Sequence, residues 1–126
     1  MAVTHPTAFR SAVANLIGDT VNSGKLCFRI TGSTADSPSA IVATLTLAAD
    51  AFPNSTDGSI TAAVIASDTN AAGGTVAFAT IQSAADVIKV HCAVAASASD
   101  INMSNGLVVA AGDTVSCSAL TYTAMP

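Results

Sequence analysis

His91 and Cys92 stand side by side, and a thiol with a neighbouring imidazole is the pair that a cysteine nucleophile requires. The run that carries them, residues 87–95, alternates in the manner of a β-strand. Adjacent residues on a strand project to opposite faces, so these two cannot share a hydrogen bond. His91 therefore reads as a surface or interface residue. His5 lies in the N-terminal arm and would have to fold back to assist any reaction. Cys27, Cys92 and Cys117 lack the close paired spacing of a zinc site. Their odd number and scatter fit no disulfide framework, and they read as thiols of a protein made in a reducing cytosol. Asp68-Thr69-Asn70 and residues 54–58 hint at calcium, but the chain has no Glu to close an EF-type loop. Both read as turns. No Lys-Ser/Thr follows Gly73-Gly74, so it is no phosphate loop, and no G-x-S-x-G elbow occurs. The expectation is no enzyme, with no catalytic residue, metal, cofactor or small-molecule substrate.

Composition narrows the remaining classes. The 126 residues are enough for one domain, and 51% are apolar, but the aromatics are four Phe and one Tyr. The core is expected to be thin layers of Val, Ile, Leu and Ala. All eight acids are Asp, mostly beside turn signals, where a short carboxylate bonds nearby backbone. With four basic side chains and a net charge of −4, the footprint of a nucleic-acid or anionic-membrane binder is missing. Charged residues make up 10%, against about a quarter in ordinary soluble domains. Coverage of the surface by neighbouring chains would account for that. No stretch reads as a membrane span, and the N-terminus does not read as a signal peptide.

The elements follow from periodicity. Residues 1–5 read as an extended arm before a single β-rich domain over 6–126. Pro6 suits the start of a helix over 6–23, or Thr7 caps it. Phe9, Val13, Leu16, Ile17 and Val21 form one apolar stripe, with Arg10, Asn15, Asp19 and Asn22 off it. Gly24 reads as the left-handed C′ residue. Residues 25–31 alternate, with Leu26, Phe28 and Ile30 on one face and Lys25, Cys27, Arg29 and Thr31 on the other. Ile41, Ala43, Leu45 and Leu47 are expected inward on the next strand, with Val42, Thr44 and Thr46 opposite. Residues 58–81 read as two strands joined by a polar turn region, apolar enough in places to be covered on both faces. On 87–95, Ile88, Val90, Cys92 and Val94 are expected inward. Short strands follow at 100–103 and 107–110, then a long final strand over 114–123. The expected fold is mainly β: one β-sandwich or barrel-like domain of about seven or eight antiparallel strands with an N-terminal amphipathic helix.

Several of these stretches together resemble the head decoration, or capsid cement, proteins of tailed bacteriophages. They are His5-Pro6-Thr7-Ala8 leading the helix, Gly24-Lys25-Leu26, Gly58-Ser59-Ile60-Thr61-Ala62 with Ser67-Asp68, and Gly74-Thr75. Later come Asp100-Ile101-Asn102, then Ala111-Gly112-Asp113-Thr114-Val115 running into Ser118-Ala119-Leu120-Thr121-Tyr122-Thr123 and Pro126. The resemblance implies a virion protein on the outside of the phage head. It would bind the major capsid protein and copies of itself as a homotrimer or homodimer, with no catalytic residues and no direct contact with nucleic acid or membrane. A tail or baseplate structural protein is the second reading. A host-surface or carbohydrate-binding β-sandwich is the third. The expected contact residues are Val3 and His5 in the arm, and Phe52 with Pro53 as a rigid apolar knob in the loop over 49–57.

Two outcomes follow from the sequence. If the stripe is the helix's buried face, Leu16→Ala costs about 2–5 kcal/mol in a denaturation experiment. Intact-mass measurement of freshly prepared protein is expected to find all three thiols reduced, and a stoichiometric Cys–Cys bridge would overturn that.

Overall fold

One helix precedes nine strands in the computed structural model, which describes residues 4–95, 101–102, 106–117 and 120–123. The helix is α1 (Thr7–Thr20). The strands are β1 (Lys25–Arg29), β2 (Ile41–Thr46), β3 (Ser59–Thr61), β4 (Gly74–Thr75), β5 (Phe78–Gln82), β6 (Ile88–Ala95), β7 (Ile101–Asn102), β8 (Val108–Val109) and β9 (Thr121–Thr123). Val3, Asp100, Met103 and the Ser118-Ala119 step lie outside the described residues.

The chain is mainly β with one helix. Five strands form the main sheet in the order β2-β1-β5-β6-β7, while β3–β9 and β4–β8 are two-stranded ribbons. The described sheets do not close into a barrel. Pairing is antiparallel except for β6–β7, which is parallel. The expected pairing across residues 58–81 does not form. Ile60 of β3 pairs with Tyr122 of β9, β4 pairs with β8, and β5 lies between β1 and β6. Residues 62–65 fall outside any strand, and Val64 is 89% exposed. The long final strand shortens to β9 and an isolated bridge between Val115 and Asp68.

Leu26, Phe28, Ala43, Leu45, Ala79 and Ile81 share the sheet's inner face, where they join Val21, Phe52 and Ile60 in the core. Two register shifts decide which residues reach it. Between Phe28 and Arg29 the β1–β2 ladder skips a residue, so Arg29 faces Ile41 and Val42 is the extra one. A bulge reverses the faces beyond it. Val42 is consequently buried and Ile41 turned outward, opposite to the sequence expectation. A second shift sets Gln82 against Ile88, which brings Ile88 to the outer face instead of the core.

The outer face of the sheet is polar yet buried: β5 is covered on both sides, but its outer face carries Thr80 and Gln82 where an apolar face was expected. Cys27, Arg29, Thr80 and Gln82 are all buried there. The loop over residues 30–40 is tied against this face. Arg29 Nη1 donates to the Ser39 carbonyl at 2.6 Å, and Ser39 Oγ donates to the Ile30 carbonyl at 2.6 Å.

Helix α1 is rotated away from the expected mounting, so that of its apolar stripe only Val21 is fully buried. Its buried residues are Ser11, Ala14 and Gly18, while Phe9 and Leu16 are 52% and 66% exposed. The polar residues expected outward hold the loop beneath the helix. Asn15 accepts from the Ser55 backbone N–H at 3.0 Å and donates to its carbonyl at 3.1 Å. Asn22 accepts from Ala51 N–H at 3.0 Å, and Ser11 Oγ from Gly58 N–H at 2.9 Å. A Cβ on Gly18 would sit 2.9 Å from both Phe52 Cβ and Ile60 Cδ1. Pro6 is the N-cap and contributes no side-chain cap; its carbonyl accepts from Phe9 and Arg10. At the other end it is Ser23 that adopts positive φ. Gly24 is needed for a different reason: a Cβ there would lie 2.0 Å from the Gln82 carbonyl oxygen.

This arrangement replaces the sequence expectation for Leu16. Leu16→Ala is expected to change stability by less than about 0.5 kcal/mol, as exposed substitutions do. Gly18→Val should cost about 1–3 kcal/mol through overpacking. Urea denaturation of both variants checks the pair, and a larger loss at Leu16 than at Gly18 would contradict the mounting of the helix.

Candidate functional site

The outward side of α1 carries two exposed large apolar side chains, Phe9 and Leu16. Phe9 and Leu16 stand seven residues apart, two turns of helix, and project the same way. Val13 and Ile17 flank them half-buried. His5 extends the patch, its ring meeting Phe9 edge-on with centroids 5.3 Å apart. The stripe predicted from the sequence is split: Phe9 and Leu16 face solvent, Val13 and Ile17 are half-buried, and Val21 is buried in the core. The missed signal was the small-residue stripe Ser11-Ala14-Gly18. A helix can bury either face, and the small one approaches a neighbour more closely.

The predicted contact residues divide. His5 lies in the patch, and Pro53 is exposed on its loop. Val3 is outside the described residues. Phe52 is not an exposed knob: it is 2% exposed and packs under Gly18. The loop carries its aromatic inward because the helix above it has no side chain at residue 18.

The residues that invited chemistry are dispersed. His91 and Cys92 do project to opposite faces of β6. Cys92 packs against the core, while His91 Nε2 lies 3.1 Å from Ser33 Oγ and its ring stacks 5.2 Å from Phe78. Burial, the largest influence, pushes the Cys27 thiol above its ordinary value, so it stays protonated at neutral pH. No group of three or more His, Cys, Asp or Glu among the described residues could hold a metal. No described helix is long and apolar enough to cross a membrane.

The aspartates behave largely as turn residues. Asp68 accepts from the backbone N–H groups of Thr44 and Asn70, both at 2.9 Å, joining β2 to a distant turn. Asp113 accepts from Ala110 N–H at 2.9 Å. Asp57 takes the Ser55 hydroxyl and the Ser59 N–H. Asp86 instead pairs with Lys25 at 2.6 Å.

Comparison with protein-family models, with curated proteins and with solved structures finds no match.

These contacts define a response to acid. The Thr44 and Asn70 N–H groups hold Asp68 below the ordinary 3.8. Ser55, then Ser59, lowers Asp57, and Lys25, then Gln82, lowers Asp86. A depressed carboxyl stabilises the fold above its unfolded value, and that contribution disappears as pH falls through the folded value. The urea midpoint should therefore hold steady down to about pH 5 and fall below about pH 4. Asp68→Asn should lower the neutral-pH midpoint and flatten the acid decline. An acid decline as steep in that variant as in the parent would remove Asp68 from the account.

Proposed function

We propose that this chain is a structural virion protein: a decoration or cement protein that binds the major capsid protein shell of a tailed-bacteriophage head and stabilises the joints between its subunits. It acts by binding and not by chemistry, together with copies of itself as a homotrimer or homodimer. The observation that carries the reading is the outward apolar face of α1, with Phe9 and Leu16 exposed although the helix had a core available to it. The spread resemblance to phage decoration proteins supplies the kind of partner. Low charge supports it as well, since few ionised groups must leave water when such a surface is covered. Stable protein interfaces bury about 1,200–2,000 Å² in total, so the helix face would be the centre of a larger contact. Pro53 and the arm that ends at His5 are the elements we assign to its rim. The carbohydrate-binding reading loses its aromatic, because Phe52 is buried.

The test uses shells purified without this protein and then refilled with it. Phe9→Ser combined with Leu16→Ser is expected to leave the urea midpoint within about 0.5 kcal/mol of the parent's stability. The same variant should lose occupancy on the shell and let filled heads release DNA at a lower temperature. Parental occupancy in that variant would remove the helix face from the interface. Heads equally stable without the protein would end the cement reading, and copies found on tail tubes or baseplates would replace it with a tail structural protein.

A further inference from the structure

On the outer face of the main sheet, away from the core, lies a cavity of about 360 Å³, within the range of small-molecule sites. Its lining includes Arg29, which is only 7% exposed. Three of the five guanidinium N–H groups have acceptors. Nε donates to Thr80 Oγ1 at 2.9 Å, Nη1 to the Ser39 carbonyl at 2.6 Å and Nη2 to Gln82 Oε1 at 3.1 Å. Every one of these acceptors is neutral, and each terminal nitrogen keeps one further N–H. Among the described residues no carboxylate pairs with Arg29; the ion pair there joins Lys25 to Asp86. Buried charges are normally paired, because taking an ion out of water is costly without a counter-charge.

The surroundings specify the missing partner. Gln82 Oε1 accepts from both Arg29 and Thr80, and Gln82 Nε2 donates to Asp86 Oδ1 at 3.3 Å. Asp86 is thereby committed to Lys25 and Gln82, so these two charges cancel and the guanidinium leaves the cavity with a net charge of +1. The protonated Cys27 thiol adds nothing to that balance. Pro38, Ile41 and Ile88 supply apolar wall, and both isoleucines are there because the two register shifts turn them outward. A dianion such as phosphate would be left with an uncompensated charge against that wall.

We propose that this cavity binds a singly charged carboxylate on a short aliphatic stem, the carboxylate on the Arg29 guanidinium and the stem against Ile41 and Ile88. Arginine is the side chain best matched to such a group. The carboxylate comes either from a free small acid or from a glutamate side chain of a docked protein, and the two sources are separable.

Isotope-labelled protein is titrated with sodium butyrate while the Arg29 Nε–H and the Ile41 and Ile88 methyl resonances are followed by NMR. Saturable shifts at all three are expected, with butanol and inorganic phosphate each weaker by at least about tenfold. Arg29→Gln should abolish the response. Because that change also cuts the buried network, Ile41→Asp provides the second variant: residue 41 is partly exposed, and its new carboxylate would occupy the guanidinium from within. It should keep the spectrum of the folded protein and weaken butyrate by at least about tenfold. A short peptide with one glutamate that binds more tightly than butyrate at the same resonances assigns the site to a docked chain; binding of butyrate alone assigns it to a free acid. The proposal is overturned if butyrate gives no saturable shift, if butanol or phosphate matches it, or if folded Ile41→Asp binds butyrate as the parent does.

Discussion

The contact between Gly18 and the pair Phe52 and Ile60 sets the position of nearly everything on one side of the molecule. Without a side chain at residue 18, α1 settles onto the loop that carries Phe52 and onto β3. That depth brings Ser11, Asn15 and Asn22 within hydrogen-bond reach of loop backbone N–H groups. Those groups would otherwise be withdrawn from water unsatisfied, which costs more than the bonds gain when made. Packing and hydrogen bonding therefore favour the same face of the helix. Phe9 and Leu16 are left outside by that choice because the face of small residues fits better, while Val21 at the end of the stripe still reaches the core.

The main sheet is governed by a second constraint, the two register shifts. Each inserts one residue, and each exchanges which side chains meet the core. The first buries Val42 and releases Ile41; the second brings Ile88 beside Gln82. Between them the outer face gains an apolar rim around a buried guanidinium. An antiparallel ladder without shifts would have placed both isoleucines in the core and set Val42 opposite Arg29 on the outer face.

Two surfaces of different character result, and they suit different partners. The helix face offers area without charge, which matches association with a large protein surface. The cavity beside Arg29 offers one charge in an apolar setting, which matches a single group on a short stem. Neither depends on the other's geometry, since one is built on α1 and the other on β1, β2, β5 and β6 with the loop over 30–40.

How much of this was legible in the sequence differs element by element. Period-two alternation located β1, β2 and β6, because a strand's side chains alternate whatever it pairs with. It also separated His91 from Cys92 and so removed the one adjacent pair with catalytic promise. Asp68 and Asp113 were readable as turn residues, since the bonds they make reach backbone only a few residues away as well as farther off. Strand partners were not readable: β3 pairs with β9 some sixty residues away, and nothing local in residues 58–81 records that. The mounting of α1 was not readable either. A stripe of apolar residues and a stripe of small ones both lie on that helix, and which is buried depends on what waits opposite. The expectation for Phe52 failed for the same reason, because its burial rests on a missing side chain thirty-four positions earlier. Periodicity determined what each segment is; contacts between distant segments decided which way each one faces, because close packing is a property of two surfaces and a sequence window contains one.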